Sequence, residues 1–361
     1  MELCCINCFD DEYLKRHVKK TGSPGKCNFC RKSSRYCVAP EDLADLFMPV
    51  ISLYSPVESF MPLELLKTWE GDFIWEKLDH EWGIFNDLDY KDQEHLLYSM
   101  FPESGSHDDD PRQFLQSWVE MENQFYGTDD EYSEEIKRMW NEFSEEIVHK
   151  NRFFPQKKID TEILSELLEV LSDEVYRGNT FFRARINEKN IPFPASKMGK
   201  PPSEKSKDGR ANPKGISYLY LASDPKTAIS EVRPTVADTV TVGKFKTKDK
   251  MRVANLMSIK ISAFKYGEKL GFYLQHLAFL KILGDELSKA VVPHKEELKY
   301  IPLQYLCELI KIKKFDGIIY KSSLSDGFNF AIFEDKKVKC LSTALYKIEK
   351  VEIIPRKIEK Q

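Results

Sequence analysis

Six of the eight cysteines fall in the first 37 residues, and four of them form two pairs, Cys5-x2-Cys8 and Cys27-x2-Cys30, with 18 residues between the pairs. Thiolates two residues apart in a tight turn can share one tetrahedral ion, and a second pair completes the shell. Gly22, Pro24 and Gly25 supply the loop that returns the chain to the second pair. The spacing predicts a structural zinc knuckle, because so small a segment has little apolar material and folds on its metal. Cys4 and Cys37 are near enough in sequence to replace one of the four. Cysteines gathered for a metal, with Cys307 and Cys340 standing alone, fit a reducing compartment better than a disulfide framework. Lys15, Arg16, Lys19 and Lys20 between the pairs can contact phosphates, although a knuckle packed on its own chain needs no such ligand.

At 361 residues and 42% hydrophobic, the chain can bury two or three cores. It has no apolar run of about 18 residues, and its first residues lack the basic and apolar regions of a signal peptide. The expectation is a soluble, cytoplasmic protein with no membrane partner. The net charge of −4 is unevenly divided: residues 1–176 carry 18 basic and 38 acidic residues, and the remainder 36 and 20. Such a division reads as solvated faces, as intramolecular docking of the acidic part on the basic part, or as nucleic-acid binding by the basic part.

The division expected is a knuckle over 1–40, an acidic helical domain over 41–158, a connecting helix over 159–176 and a second folded domain over 177–361. Leu43, Leu46, Phe47 and Val50 recur at helical spacing, as do Leu65, Leu66, Trp69, Phe73 and Ile74, and then Phe114, Trp118, Met121 and Phe125. These stripes predict core. Between them, His107 and Asp108–Asp110 read as a solvated loop, since three consecutive carboxylates cannot all face one ion, and a further break falls at Gly127. No helix of this acidic region carries the Arg and His a few residues apart that a helical nuclease of the HEPN type needs. A helix over Ile159–Val175 starts at Asp160 and turns Ile163, Leu164, Leu167, Leu168 and Leu171 to one side.

The second half reads as mixed α+β. Thr180–Ile186 is a strand with Phe182, Ala184 and Ile186 on one side and Phe181, Arg183 and Arg185 on the other; two arginines on one face call for anions or water. A Pro-rich connection over 191–213 has the length of a functional loop. It ends in Gly209-Arg210-Ala211-Asn212-Pro213, a turn that presents the Arg210 fork to a diphosphate. Next come a strand with Tyr218, Tyr220 and Ala222 on one face and Leu219 and Leu221 buried, and a helix begun by Asp224-Pro225 with Glu231 near its far end. Strands over 238–248, 251–256, 315–320, 329–333 and 341–354 and helices over 271–288 and 296–313 follow, with Ser322 and Ser323 just beyond a strand and Asn329 offering an amide nearby. The chain has no Gly-x-Ser-x-Gly elbow, Walker loop or Gly-x-Gly-x-x-Gly fingerprint, so a bound nicotinamide nucleotide would be substrate rather than redox cofactor.

Three of these segments together resemble the RES domain: Gly209-Arg210-x-Asn212-Pro213, then Tyr220-x-Ala222-x2-Pro225-x-Thr227-Ala228-x2-Glu231, then Phe315-Asp316-Gly317-x2-Tyr320-x-Ser322-Ser323 ahead of Asn329 and Phe333. The resemblance spans about residues 177–350, and the first half is similar to the N-terminal region of HEPN/RES-type proteins. It implies a fold like that of ADP-ribosyltransferases and the NAD+-degrading activity of bacterial toxins, with NAD+ as substrate, zinc as structural metal and an antitoxin or immunity protein as partner. It implies catalytic roles for Arg210, Tyr220, Glu231 and Ser322, and substrate contacts for Arg183, Arg185, Asn212, Tyr218, Ser323 and Asn329. Lys321 stands where toxin–antitoxin members usually have proline, which leaves open whether Ser322 or Ser323 acts. The activities implied are NAD+ glycohydrolysis or phosphorolysis, or transfer of ADP-ribose to a macromolecule; the non-enzymatic alternative is a zinc-knuckle nucleic-acid-binding protein.

Overall fold

The computed structural model describes residues 2–68, 70–102, 112–122, 131–157, 160–187, 190–257, 259, 261–289 and 297–352. Trp69, the His107 and Asp108–Asp110 loop, Phe125, Gly127 and the end of the expected last strand lie outside the described residues. The chain forms two compact units, residues 1–133 with 260–277, and residues 134–259 with 278–361.

In the first unit β1 (Cys4–Cys5), α1 (Glu12–Thr21), β2 (Ser23–Lys26) and β3 (Ser33–Val38) build the knuckle, with strand order β1-β3-β2. Asp11 caps α1 by accepting from the N–H groups of Tyr13 and Leu14, which satisfies donors that the first turn leaves orphaned. Then follow α2 (Ala44–Ile51), β4 (Tyr54–Pro56), α3 (Leu63–Leu66), α4 (Ile74–His80), α5 (Tyr90–Met100), α6 (Gln113–Gln116) and β5 (Val119–Met121), which pairs antiparallel with β4. One apolar cluster joins Cys5, Cys8 and Cys27 to Phe47, Ile51, Leu78 and Leu96. The knuckle and the helices expected as separate domains therefore share a core, because the knuckle buries its few apolar side chains against α2 and α5. Leu65, expected in the core stripe, is 58% exposed.

Most of α7 (Glu131–His149) and all of α8 (Thr161–Val170), the latter capped by Asp160, belong to the second unit. The expected connecting helix stops at Val170; Ser172–Val175 forms β6, an edge strand whose backbone is satisfied by pairing rather than by continued helix. Next come β7 (Thr180–Asn187), β8 (Leu219–Ala222), α9 (Pro225–Glu231), β9 (Thr239–Thr247) and β10 (Met251–Asn255). The chain then re-enters the first unit, where Ala263, Phe264 and the α10 (Leu270–Gln275) residues Leu270 and Leu274 join that unit's core. The single helix expected over 271–288 is thus α10 plus α11 (Leu277–Ser288), and most of α11 belongs to the second unit. α12 (Ile301–Ile312), β11 (Gly317–Lys321), β12 (Phe328–Ile332) and β13 (Val338–Lys347) complete it.

The eight-stranded sheet has the order β13-β9-β7-β8-β12-β11-β10-β6, parallel between β10 and β11 and antiparallel elsewhere. Phe181, Leu219, Leu221, Phe330 and Ile332 pack in one cluster on one face. The register pairs Phe182 and Asn329 with Ala222, Tyr320 with Asn329, and Tyr220 with Ala331. Paired residues and residues two apart share a face, so Tyr220, Tyr320 and Asn329 stand together on the face opposite that cluster. Among the described residues no helix is long and apolar enough to cross a membrane.

Candidate active site

That face opens into a cleft of about 290 Å³ lined by Phe182, Arg210, Tyr220, Glu231, Tyr320 and Asn329 among others. Asp224 begins α9, accepting from the Thr227 N–H at 2.9 Å, and the helix carries Glu231 at its last position. The Glu231 Oε1 accepts two hydrogen bonds of 2.7 Å each, from Ser322 Oγ and from Asn329 Nδ2. Its Oε2 has no hydrogen bond within the described residues. One oxygen is therefore pinned and the other is available to a ligand. Arg210 donates from Nη1 to the Leu287 carbonyl at 2.7 Å and from Nη2 to Ser323 Oγ at 2.9 Å, leaving its other N–H groups for an anion.

The turn bearing Arg210 is tightly built. Tyr220 OH donates to Asn212 Oδ1 at 2.5 Å, and burial holds that phenol well above its ordinary pKa, so it stays neutral and acts through its ring. A Cβ at Gly209 would meet Asn212 Oδ1 at 2.6 Å and Tyr220 OH at 2.7 Å, so only glycine fits there. The Ser322–Gly327 loop is tied to the start of α9: Ser223 Oγ and Thr227 Oγ1 donate to Asp224 Oδ2 at 2.7 and 2.6 Å, and Ser325 Oγ lies 3.1 Å from Thr227 Oγ1. Asp224 is thereby held below the ordinary carboxylate range, its bonds to Thr227 and Ser223 outweighing the effect of burial.

Residues 180–348 match the model of the RES domain, and residues 20–161 that of HEPN/RES N-terminal domain 1. Residues 180–348 are a RES domain. A solved chain from the M. tuberculosis MbcT–MbcA toxin–antitoxin complex is similar at 10% identity, covering 52% of this chain and 93% of that one with a TM-score of 0.33. No curated protein matches.

Of the residues expected in the RES site, Arg210, Tyr220, Glu231, Ser322, Ser323 and Asn329 are brought together. The side chains of the other four do not join them. Arg183 is among the residues lining the cleft, but its guanidinium and that of Arg185 turn to the opposite face of β7, where Arg183 donates to the Met198 and Gly199 carbonyls and Arg185 to that of Lys197. Arg185 also stacks on Phe193 at 4.3 Å. These arginines hold the 191–213 connection, and burial pulls Arg183 down to about 10. Asn212 is a buried staple whose Nδ2 donates to the carbonyls of Lys207 and Ile216. Tyr218 precedes β8, packs against Phe333 at 4.8 Å and does not line the cleft. Two residues escaped the sequence reading. Tyr320 lines the cleft, a position visible only once β11 and β12 are paired. Gln304 of α12 donates to the carbonyls of Gly209 at 3.0 Å and Asn212 at 3.1 Å, bracketing the Arg210 turn.

In the N-terminal unit the Sγ atoms of Cys5, Cys8, Cys27 and Cys30 lie within 4.8 Å of one another, a set that can hold a metal ion. Hydrogen bonding to Cys27 pushes the Cys8 thiol up, while bonds from Cys5 and Cys8 pull Cys27 down. Four sulfurs so close cannot all ionise unless a cation shares them. Cys4 and Cys37 point instead to the carbonyls of Val38 and Ser34 and stand outside the set.

Proposed function

We propose that the cleft binds NAD+ and breaks its nicotinamide–ribosyl bond, as a glycohydrolase or phosphorylase serving as a toxin or defence effector. The observation that carries this reading is the Glu231 carboxylate, pinned through Oε1 by Ser322 and Asn329 and unpaired with any Lys or Arg among the described residues. When the C1′–N bond breaks, its electron pair leaves with nicotinamide and C1′ takes on positive charge. A preorganised carboxylate stabilises that charge, and its free oxygen accepts a ribose hydroxyl. Arg210 holds the diphosphate, and the Tyr220 and Tyr320 rings wall the nicotinamide riboside. The cleft is at the small end for a ligand pocket, which suits that half of the dinucleotide. Water or inorganic phosphate then adds to C1′, with the surplus proton of water passing to solvent.

The RES match supports the reading, and with it we propose a fold related to ADP-ribosyltransferases, a cytoplasmic site of action and an antitoxin or immunity partner. Zinc is the metal we assign to the four cysteines: tetrahedral Zn–S bonds of about 2.3 Å place sulfurs about 3.8 Å apart, against 3.4, 3.5 and 3.8 Å here. The four thiolates would close the shell, so its role is structural.

Incubation of the pure full-length protein with NAD+, followed by mass identification of products, tests the proposal. Expected are free nicotinamide with ADP-ribose, or with its 1″-phosphate when phosphate is the acceptor, and a loss of about 10²–10³-fold in rate for Glu231→Gln. NAD+ that persists equally with wild type and variant refutes it. ADP-ribose recovered on a macromolecule replaces hydrolysis with transfer.

A further inference from the structure

Between Tyr13 and Pro40 the chain has eight Lys or Arg residues and no Asp or Glu, whereas residues 41–133 have four basic and 23 acidic residues. The fold divides those eight cations. Lys15 pairs with Asp10 at 2.9 Å, Arg31 with Asp92 at 2.5 Å and Lys32 with Asp87 at 2.7 Å; the last two fasten the knuckle to the region of α5. Arg16, Lys19, Lys20, Lys26 and Arg35 are exposed and have no ion-pair partner among the described residues. Internal pairing therefore explains three cations and leaves five.

These five share one side of the knuckle. α1 buries Leu14 and Val18, so Tyr13, Arg16, His17 and Lys20, spaced by three and four, form its outer face. Tyr13 is 41% exposed. The end of α1 sits hard against β3: a Cβ on Gly22 would lie 2.6 Å from the Val18 carbonyl and 3.0 Å from the Cys37 nitrogen. Across that seam Lys19 Nζ stands 5.9 Å over the Tyr36 ring, and the β2–β3 hairpin adds Lys26 and Arg35.

We infer that this face of the knuckle is a second ligand site, for a single-stranded nucleic acid. Free cations neutralise successive phosphates, and the Tyr13 and Tyr36 rings among them are platforms on which unpaired bases stack, as duplexed bases cannot. The strongly acidic remainder of the unit repels a polyanion elsewhere and confines it to the knuckle. The site is independent of the NAD+ reading, and it is separate from the cleft's residues.

The test is fluorescence anisotropy of the full-length, metal-loaded protein with labelled 20-mers of oligo-U and oligo-dT and a duplex of equal length, from 50 to 200 mM salt. Binding to the single strands should weaken with salt at a slope of up to about −3.5 in log–log form, about −0.7 per phosphate contacted. Arg16→Glu with Lys20→Glu should weaken it at least about tenfold and flatten the slope by about 1 or more; Lys26→Glu with Arg35→Glu, on the hairpin, should act in the same direction. Tyr13→Ala should weaken binding about tenfold and leave the slope unchanged. Melting curves check that these surface variants are folded, and NAD+ turnover should be unaltered. Affinity untouched by both charge reversals overturns the assignment, as does a duplex bound as tightly as the single strands, or polyglutamate competing as well as the oligonucleotide.

Discussion

Ser322→Ala and Asn329→Ala probe whether the cleft works through a carboxylate held from one side. Both side chains donate to the same Glu231 oxygen at 2.7 Å, and a hydrogen bond to a charged group contributes about 1.5–3 kcal/mol. If that bond matters only when Glu231 meets the developing charge, each variant loses about 10- to 100-fold in kcat, at 1.36 kcal/mol per tenfold. KM for NAD+ should move less than about threefold, because the donors touch the acid rather than the substrate. The two losses should be less than additive, with a coupling of about 0.5–2 kcal/mol, since both bonds orient one group. In a Glu231→Gln background Ser322→Ala should change the rate less than about threefold. Initial rates of NAD+ loss at limiting and saturating substrate supply every corner of the cycle. The reasoning is refuted if Ser322→Ala raises KM with kcat intact, or keeps its full effect in the Glu231→Gln background; the hydroxyl then acts on the substrate itself.

Gln304→Glu keeps the shape of the side chain but sets an acceptor against the Gly209 and Asn212 carbonyls; a loss of about 1–3 kcal/mol in stability and a raised KM, as the Arg210 turn shifts, would show in melting and in kinetics. Gly327→Ala places a methyl 2.4 Å from Ser223 Oγ and 2.5 Å from Asp224 Oδ2, so the Ser322–Gly327 loop must move, and overpacking of about 1–3 kcal/mol should appear as a lower Tm with reduced turnover. Elemental analysis should find one zinc per chain, and a chelator or Cys8→Ser should release it, expose the knuckle thiols to titration and loosen the near-ultraviolet signal of Trp75 and Trp82 in that unit. His276, buried with Nδ1 2.8 Å from the Phe272 carbonyl, has its pKa lowered by burial. The unfolded chain then binds the proton first, so its contribution is complete above about pH 6.5 and is lost on acidification below it, which a series of melts across that range checks.

What short-range chemistry controls was readable from the residues alone. Asp160 and Asp224 cap helices because their acceptors reach N–H groups two or three residues ahead, and the paired cysteines converge because each pair is a single turn. The alternation along β7 was likewise right, with Arg183 and Arg185 opposite Phe182 and Ala184. Which of those faces meets the cleft was not in the alternation; it follows from the pairing of Phe182 with Ala222, a contact between distant strands. The same holds for α10, whose apolar spacing announced a buried face but not which of two cores would bury it. Asn212 had the chemistry of a ligand contact and became a staple because Tyr220 and the Ile216 carbonyl consumed its amide. By itself, then, the sequence determined the helices begun by Asp160 and Asp224, the paired-cysteine turns and the meeting of Arg210, Tyr220, Glu231 and Ser322 at one cleft. Tertiary structure alone decided that Ser322 and Asn329 grip one oxygen of Glu231 and that Gln304 braces the Arg210 turn, because those hydrogen bonds join residues some ninety positions apart, and only the closed sheet with its helices brings such groups within bonding distance.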